Sequence, residues 1–537
     1  MAVAVPAERV GARTRFRRPS PEAVAWILLV AAGLAVRLIA LGDRPFHHDE
    51  SQDAYFSWIF RTTGTYAYDP LLHGPLRFYL TGLMYLLFGD SNTTARLAPA
   101  LMGALMVPMP YLLRHQVGRV AAYAAALMLA FGPTFLYFSR FAREDIYVAS
   151  ITLALIVVTF RFLDRPRRHQ PGLIGALLAA SFATKETTFI TVFVAGTFFI
   201  AALVHQRTRA ASWRETPLIR TATSVGWGAW GWAVSMFVFV FTILFTTFLT
   251  YPAGLWDGIY KGLHYWLSQQ PVARGGEAHG FYVVVLLGEE WPAVLLGIVG
   301  AVAAFRRPTL LRLFLVWDFL LSLAVYTWAG EKFAWLVMHP LLPLILLAGV
   351  GVQVIWDARH AWAGKLGALL VVAGFAYVGL ASFWVNAVHR ADPRELLVST
   401  QSSEQVKKVA DAVVAEAKRA RRPLRITVDA EDGGAFPYAW YFRHLDAGYP
   451  DLSTATTLPP SDIAILGQTA RVRLVRQLGP FRDREFSFRV WWVRDYSKLT
   501  PSSAWAWLSR RKPWSPTGGM PEWLEWSRAL PPPPPGA

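Results

Sequence analysis

The sequence contains no cysteine in 537 residues, which excludes disulfides, thiolate metal sites and cysteine nucleophiles. Charge is also sparse. Asp, Glu, Lys and Arg make up 17% of the chain, where a soluble domain carries about a quarter. No Walker A motif, Rossmann fingerprint or zincin motif is found, which argues against ATP-driven transport and nucleotide-dependent chemistry by this chain alone. The net charge of +17 would ordinarily raise the question of nucleic acid. Here the basic residues sit in short segments between apolar runs, as expected for a multispan membrane protein, and no nucleic-acid partner is implied.

Long apolar runs dominate the chain, which is 54% hydrophobic and 14% aromatic. A span needs about 20 mostly apolar residues. Runs occur at 23–41, 95–113, 119–138, 146–163, 171–185, 188–204, 228–250, 280–304, 310–328, 335–356 and 366–386. The first is too long for a signal-peptide core, lacks a small-residue cleavage site and reads as a retained span. Basic connectors follow Arg114, Arg165, Arg207, Arg306 and Arg359, and the tail before Pro19 is basic. The positive-inside rule puts all of them in the cytoplasm. They share that side if the eleven runs cross and the shorter 75–88 run does not. The expected organisation is a cytoplasmic basic tail (1–22), a transmembrane domain (23–386), an extracytoplasmic α/β domain (387–500) and a Trp/Pro-rich tail (501–537). A multi-pass protein of the cell membrane follows, N-terminus inside and C-terminal domain outside.

That orientation gathers the unusual motifs on the outer side. The first outer loop holds His47-His48-Asp49-Glu50 and then His73-Gly74-Pro75-Leu76. Adjacent carboxylates beyond a span suit general-base work or metal binding; an ordinary solvated loop has even odds. The second outer loop is Ser139-Arg140-Phe141-Ala142-Arg143-Glu144-Asp145. Arginines on this side run against the charge rule, and two beside two acids suggest an anion clamp. The bland reading is a local ion pair. Lys185-Glu186 interrupts apolar sequence, as does Gly330-Glu331-Lys332-Phe333-Ala334-Trp335, with His339 after it. Ionisable groups next to a membrane core are costly and point to function. The 251–279 connector carries Tyr265, Trp266, Arg274 and His279; it suits a sugar or headgroup, or is an interfacial amphipathic helix.

Taken together, Asp49-Glu50, His73-Gly74-Pro75-Leu76, Arg96-Leu97 and the 139–145 loop resemble the GT-C membrane glycosyltransferase superfamily. The 330–335 segment with His339 is similar to the flippase-activity-associated membrane protein family. The resemblance covers roughly residues 23–350. It implies a helical polytopic fold, a polyprenyl-phosphate sugar donor and a glycan, lipid or protein acceptor in the membrane. Asp49 would be the base, Glu50 would support or replace it, and Asp145 would be the second-loop acid. Arg140 or Arg143, Lys185 and Lys332 would hold the leaving phosphate, with His48, His73, Glu186, His279 and Glu331 completing the substrate-binding set. Some superfamily members bind a divalent cation through a DxD-like element. Arg143-Glu144-Asp145 departs from it, so a cation on Asp49 and Asp145 stays open.

Hydropathy falls after about residue 387. The 401–420 segment reads as an amphipathic helix, and 425–429, 462–466 and 488–493 read as strands. Tryptophans then punctuate a basic tail ending in Pro531–Pro535, expected to be extended, with the tryptophans at the membrane interface. The rival to catalysis is an accessory or transport protein handling lipid-linked glycans. A pure transporter would place its ionisable groups near the bilayer midplane rather than at one rim. A purely structural subunit would leave their clustering unexplained.

Overall fold

The computed structural model describes residues 20–269, 272 and 274–534. Most of the basic tail, residues 1–19, lies outside the described residues, as do 535–537 at the end of the proline run. Eight described helices are long and apolar enough to cross a membrane, and ten if two bent pairs each count as one. These ten coincide with ten of the eleven expected runs. The eleventh forms only Gln170–Phe182, thirteen residues, the same length as Leu76–Phe88. At 1.5 Å per residue each measures roughly 20 Å against a hydrocarbon core of about 30 Å. The chain is a multi-pass membrane protein.

The centre of the bundle is the helix Met338–Asp357, buried continuously from Met338 to Val352. Glycines let its neighbours approach. A Cβ on Gly300 would stand 2.0 Å from the Leu347 carbonyl oxygen, and one on Gly351 2.0 Å from that of Leu296. Small residues at such crossings permit the close backbone contact that drives helix association in lipid.

Two spans are broken where proline removes an N–H. Arg119–Phe131 and Pro133–Ser139 meet at 51°, and Phe281–Glu289 and Trp291–Arg306 at 100°. The freed backbone groups find partners, as burial requires. The Glu290 carboxylate accepts the Thr134 N–H at 3.1 Å, and the Ser382 hydroxyl donates to the Phe131 carbonyl at 2.6 Å.

The C-terminal domain is a six-stranded sheet of β1 (Gln401–Ser402), β2 (Ile426–Val428), β3 (Ala447–Gly448), β4 (Ile463–Leu466), β5 (Phe481–Trp492) and β6 (Thr517–Ser527). Its order is β1-β5-β6-β4-β2-β3. β2 pairs in parallel with β3 and β4, and the other pairings are antiparallel. The expected helix is present as Glu404–Arg419.

The tail expectation is corrected. Residues 501–527 are not a separate extended segment, because β6 pairs along both β4 and β5 at the middle of the sheet. Alternation puts Leu524 and Trp526 into the core, and Trp507 is buried as well, while Trp505 remains exposed. Trp523 and Trp526 belong to β6, and Trp505 and Trp507 to the helix Pro501–Arg510.

This domain sits on the first outer loop. Phe46 and Ala54 belong to its hydrophobic core. Gln401 donates to the Pro45 carbonyl at 3.0 Å, and Arg443 pairs with Asp90 at 2.7 Å.

Candidate active site

The helix His48–Thr63 begins with a capping box. The His47 imidazole accepts the Asp49 N–H at 3.0 Å, and the Glu50 carboxylate accepts the His47 N–H at 3.2 Å. Capping fixes the first turn and hence the two acids. Their fates differ. Glu50 is fully buried and takes Arg96 Nε at 2.9 Å, Arg96 Nη2 at 3.0 Å, Arg44 at 3.1 Å and the Ala142 N–H at 2.9 Å. It therefore ties the first outer loop to the 139–145 loop and does not line the cavity. The expectation that it replaces Asp49 is not met by this placement.

Asp49 instead pairs with Arg143. The same guanidinium reaches Glu144 at 3.4 Å and Asp145 at 3.5 Å, so it bridges the acids of the two loops. Lys185 holds Asp145 at 2.9 Å and Glu144 at 3.1 Å. His73 links Glu144, 3.3 Å from Nε2, to Glu186, 2.7 Å from Nδ1. Arg77 stands 3.2 Å from Glu144 and 3.5 Å from Asp53, and His339 3.5 Å from Asp145. Trp335 lies under Arg143, the guanidinium carbon 3.9 Å from its ring centre. It is buried within the cluster rather than displayed as a belt anchor.

A cavity of about 250 Å³ opens on this cluster, lined by Asp49, His73, Arg77, Arg143, Glu144, Glu186, Arg274 and Glu331 with Tyr265, Trp266 and Phe333. A smaller one of about 70 Å³ shares His73, Glu186, Trp266 and Glu331 and reaches Lys185. Polar groups converging on an aromatic-walled cleft suit a small polar ligand. Larger cavities of about 440 and 550 Å³ are lined by other residues and do not include this cluster.

The electrostatics follow from burial set against pairing. Burial alone would raise the Asp49 carboxyl, but Arg143 with His47 and His48 brings it down to about 2. Glu50 likewise falls to about 2, Arg44 and Arg96 outweighing burial. Burial pushes Asp53 up to about 7; Arg77 opposes this, and Glu144 and Glu50 add to it. Burial takes His47 down to about 4. Lys185 is raised because Asp145 and Glu144 outweigh its desolvation.

Other expected residues lie elsewhere. Arg140 donates to the carbonyls of Val36 at 2.6 Å and Ile39 at 2.7 Å, capping the end of the helix Pro21–Leu38. Its cationic end is used on backbone oxygens, and it does not enter the cluster. The His279 ring stands 3.1 Å from the Thr327 carbonyl, away from the cavity. His48 turns to the C-terminal domain, 3.0 Å from Arg489. The Lys332 ammonium donates to the Ala329 carbonyl, while its backbone N–H donates to the Arg274 carbonyl at 3.0 Å.

No three His, Asp or Glu groups among the described residues are arranged to hold a metal ion. The donor set explains this. Asp49 and Asp145, the side chains expected for a cation, face one guanidinium between them, and Asp145 has an ammonium as well. They do not fit a metal centre.

Sequence reading passed over Arg77 and Asp53 as site residues, gave Arg274 no role of its own within the 251–279 connector, and undervalued Glu144. Glu144 is the hub of the cluster, yet in sequence it is only the middle of Arg143-Glu144-Asp145. Arg77 carried a signal, standing four residues after His73 in a conspicuous motif.

A family model described as dolichyl-phosphate-mannose-protein mannosyltransferase matches residues 72–225. ArnT from Cupriavidus metallidurans bound to undecaprenyl phosphate superposes with a TM-score of 0.63 at 16% identity, over 95% of this chain and 100% of that one. The chain has the GT-C fold. The GT-C oligosaccharyltransferase of Archaeoglobus fulgidus in its apo form matches at a TM-score of 0.54 and 12% identity, over 83% of this chain and 69% of that one. The same organism's AglB in complex with an inhibitory peptide and a dolichol-phosphate matches at 0.50 and 12%, over 79% and 64%. No curated protein matches the sequence. These likenesses are to GT-C proteins at large and do not single out the flippase-activity-associated family.

Proposed function

We propose that this protein is a glycosyltransferase that moves a sugar from a polyprenyl-phosphate donor to an acceptor hydroxyl, with Asp49 as general base. One observation carries the assignment. Asp49 keeps 29% of its side chain exposed at the cavity, against 1% for Glu144 and Asp145 and 0% for Glu50. Of these four acids it is the one that an acceptor can reach. Arg143 keeps it ionised throughout the neutral range, so it is present as the carboxylate form a general base requires.

In the step proposed, the acceptor oxygen attacks the anomeric carbon as its proton passes to Asp49. The bond from that carbon to the phosphate oxygen breaks, and its electron pair leaves with the phosphate. Arg274 lines the cavity and forms no ion pair among the described residues, its guanidinium donating only to the neutral Gln269 amide oxygen, so it takes the developing charge. Cations preset where charge develops lower the barrier because they need no reorganisation. Lys185 is saturated by Asp145 and Glu144 and holds those two carboxylates in place beside Arg143. Lipid phosphates bound to two proteins of the same fold support the donor class. The basic connectors at Arg114 and Arg165, which precede the short Gln170–Phe182 helix, support placing the cluster on the non-cytoplasmic face.

The test is transfer from synthetic short-chain polyprenyl-phosphate sugars by purified protein, wild type beside Asp49→Asn. Donor binding without turnover in the wild type would favour an accessory protein.

A further inference from the structure

The far end of the bundle carries a second site. The helix Asp145–Asp164 starts in the acidic cluster and ends twenty residues later, roughly 30 Å away at 1.5 Å per residue. There, a cavity of about 440 Å³ is lined by Arg114, Arg161, Arg165 and Arg167. Asp164 is the one carboxylate in its lining, 3.7 Å from Arg165. Arg161 and Arg167 have no carboxylate partner among the described residues. Arg114 rests on the Tyr111 ring at 3.7 Å.

Orientation by the positive-inside rule accounts for arginines in this connector. It does not by itself bring arginines of two connectors around one concavity, where a bound anion would relieve what repulsion solvent leaves between them. One part of the cavity wall is apolar, formed by Leu112, Val157, Val158 and Leu173, with Leu112 and Leu173 39% and 45% exposed. A phosphate at the arginines with a hydrocarbon chain along Leu112 and Leu173 satisfies both parts at once. We infer that this cavity binds the headgroup of an anionic phospholipid from the leaflet opposite the acidic cluster. Basic pockets between membrane helices hold anionic lipid in this manner. A soluble anion would leave the apolar wall unused.

The experiment is native mass spectrometry of the full chain in neutral detergent, titrated with phosphatidylglycerol, phosphatidylcholine or inorganic phosphate. Phosphatidylglycerol is expected to bind in preference to phosphatidylcholine, and inorganic phosphate not to displace it. Each arginine contributes roughly a fivefold factor, so R161Q/R165Q/R167Q should weaken binding about a hundredfold. R167Q alone should weaken it about fivefold and serves if the triple variant misfolds. Equal binding of the two lipids, unchanged binding by the variants, or displacement by inorganic phosphate would each overturn the lipid assignment.

Discussion

Arg96 uses every donor it has inside the protein, and its removal should be felt more than that of any exposed arginine. Besides its two bonds to Glu50, it donates to the carbonyls of Arg44 at 2.9 Å, Leu41 at 3.2 Å and Pro45 at 3.3 Å. The drop of Glu50 from 4.5 to about 2 corresponds to roughly 3 kcal/mol, shared among Arg44, Arg96 and the Ala142 N–H. Truncating one partner of a buried pair independently costs about 3–5 kcal/mol. Arg96→Met should therefore destabilise by about that much at pH 7. Since the folded carboxyl is depressed, the contribution is present above about pH 4.5 and disappears as pH falls through about 2. Glu50→Met alone should cost a similar amount, by stranding Arg96. The double variant removes this pair and leaves only Arg44 without its carboxylate, so it should cost less than the sum of the two single losses. The assay is thermal unfolding in detergent of the four proteins of this cycle. If Arg96→Met unfolds no earlier than the wild type, or if the two losses simply add, the pair is not the tie between the loops argued above.

Asp53 should behave in the opposite sense. Its folded carboxyl is raised to about 7, so ionising it costs stability as pH rises from about 4 to 7; Asp53→Asn should raise the unfolding midpoint relative to wild type at pH 8 more than at pH 5, both followed by differential scanning fluorimetry. Gly300→Ala drives a methyl into the Leu347 carbonyl, 2.0 Å from its Cβ, and should lose several degrees of thermal midpoint or fail to assemble, as read by size-exclusion chromatography. Arg274→Gln removes a charge-assisted hydrogen bond worth about 1.5–3 kcal/mol and should weaken donor-phosphate binding roughly ten- to a hundredfold in a titration. Unchanged affinity would remove Arg274 from the phosphate site.

Hydropathy and charge were enough to read the membrane architecture, because a bilayer forces long apolar runs and sorts the basic connectors. They did not give the breaks at Pro133 and Pro292, where local satisfaction by Glu290 and Ser382 decides what a proline does. The cluster was legible as three loops because ionisable residues beside spans are rare. Roles within it were not. Asp49 and Glu50 are adjacent letters, and only the helix start separates them, sending one to the cavity and the other under Arg96. Arg140 and Arg143 are likewise indistinguishable in sequence, yet one caps a helix and the other bridges three acids. The tryptophans after residue 500 looked like an interfacial tail because pairing with β4 and β5 is non-local and leaves no mark in a short window.

The central claim is that Asp49 takes the acceptor proton. It is tested by single-turnover transfer from a synthetic polyprenyl-phosphate sugar, with donor affinity measured in parallel for wild type and Asp49→Asn. The account predicts a rate lower by about 10²–10⁴ with donor affinity retained. Transfer by Asp49→Asn at near the wild-type rate would contradict it.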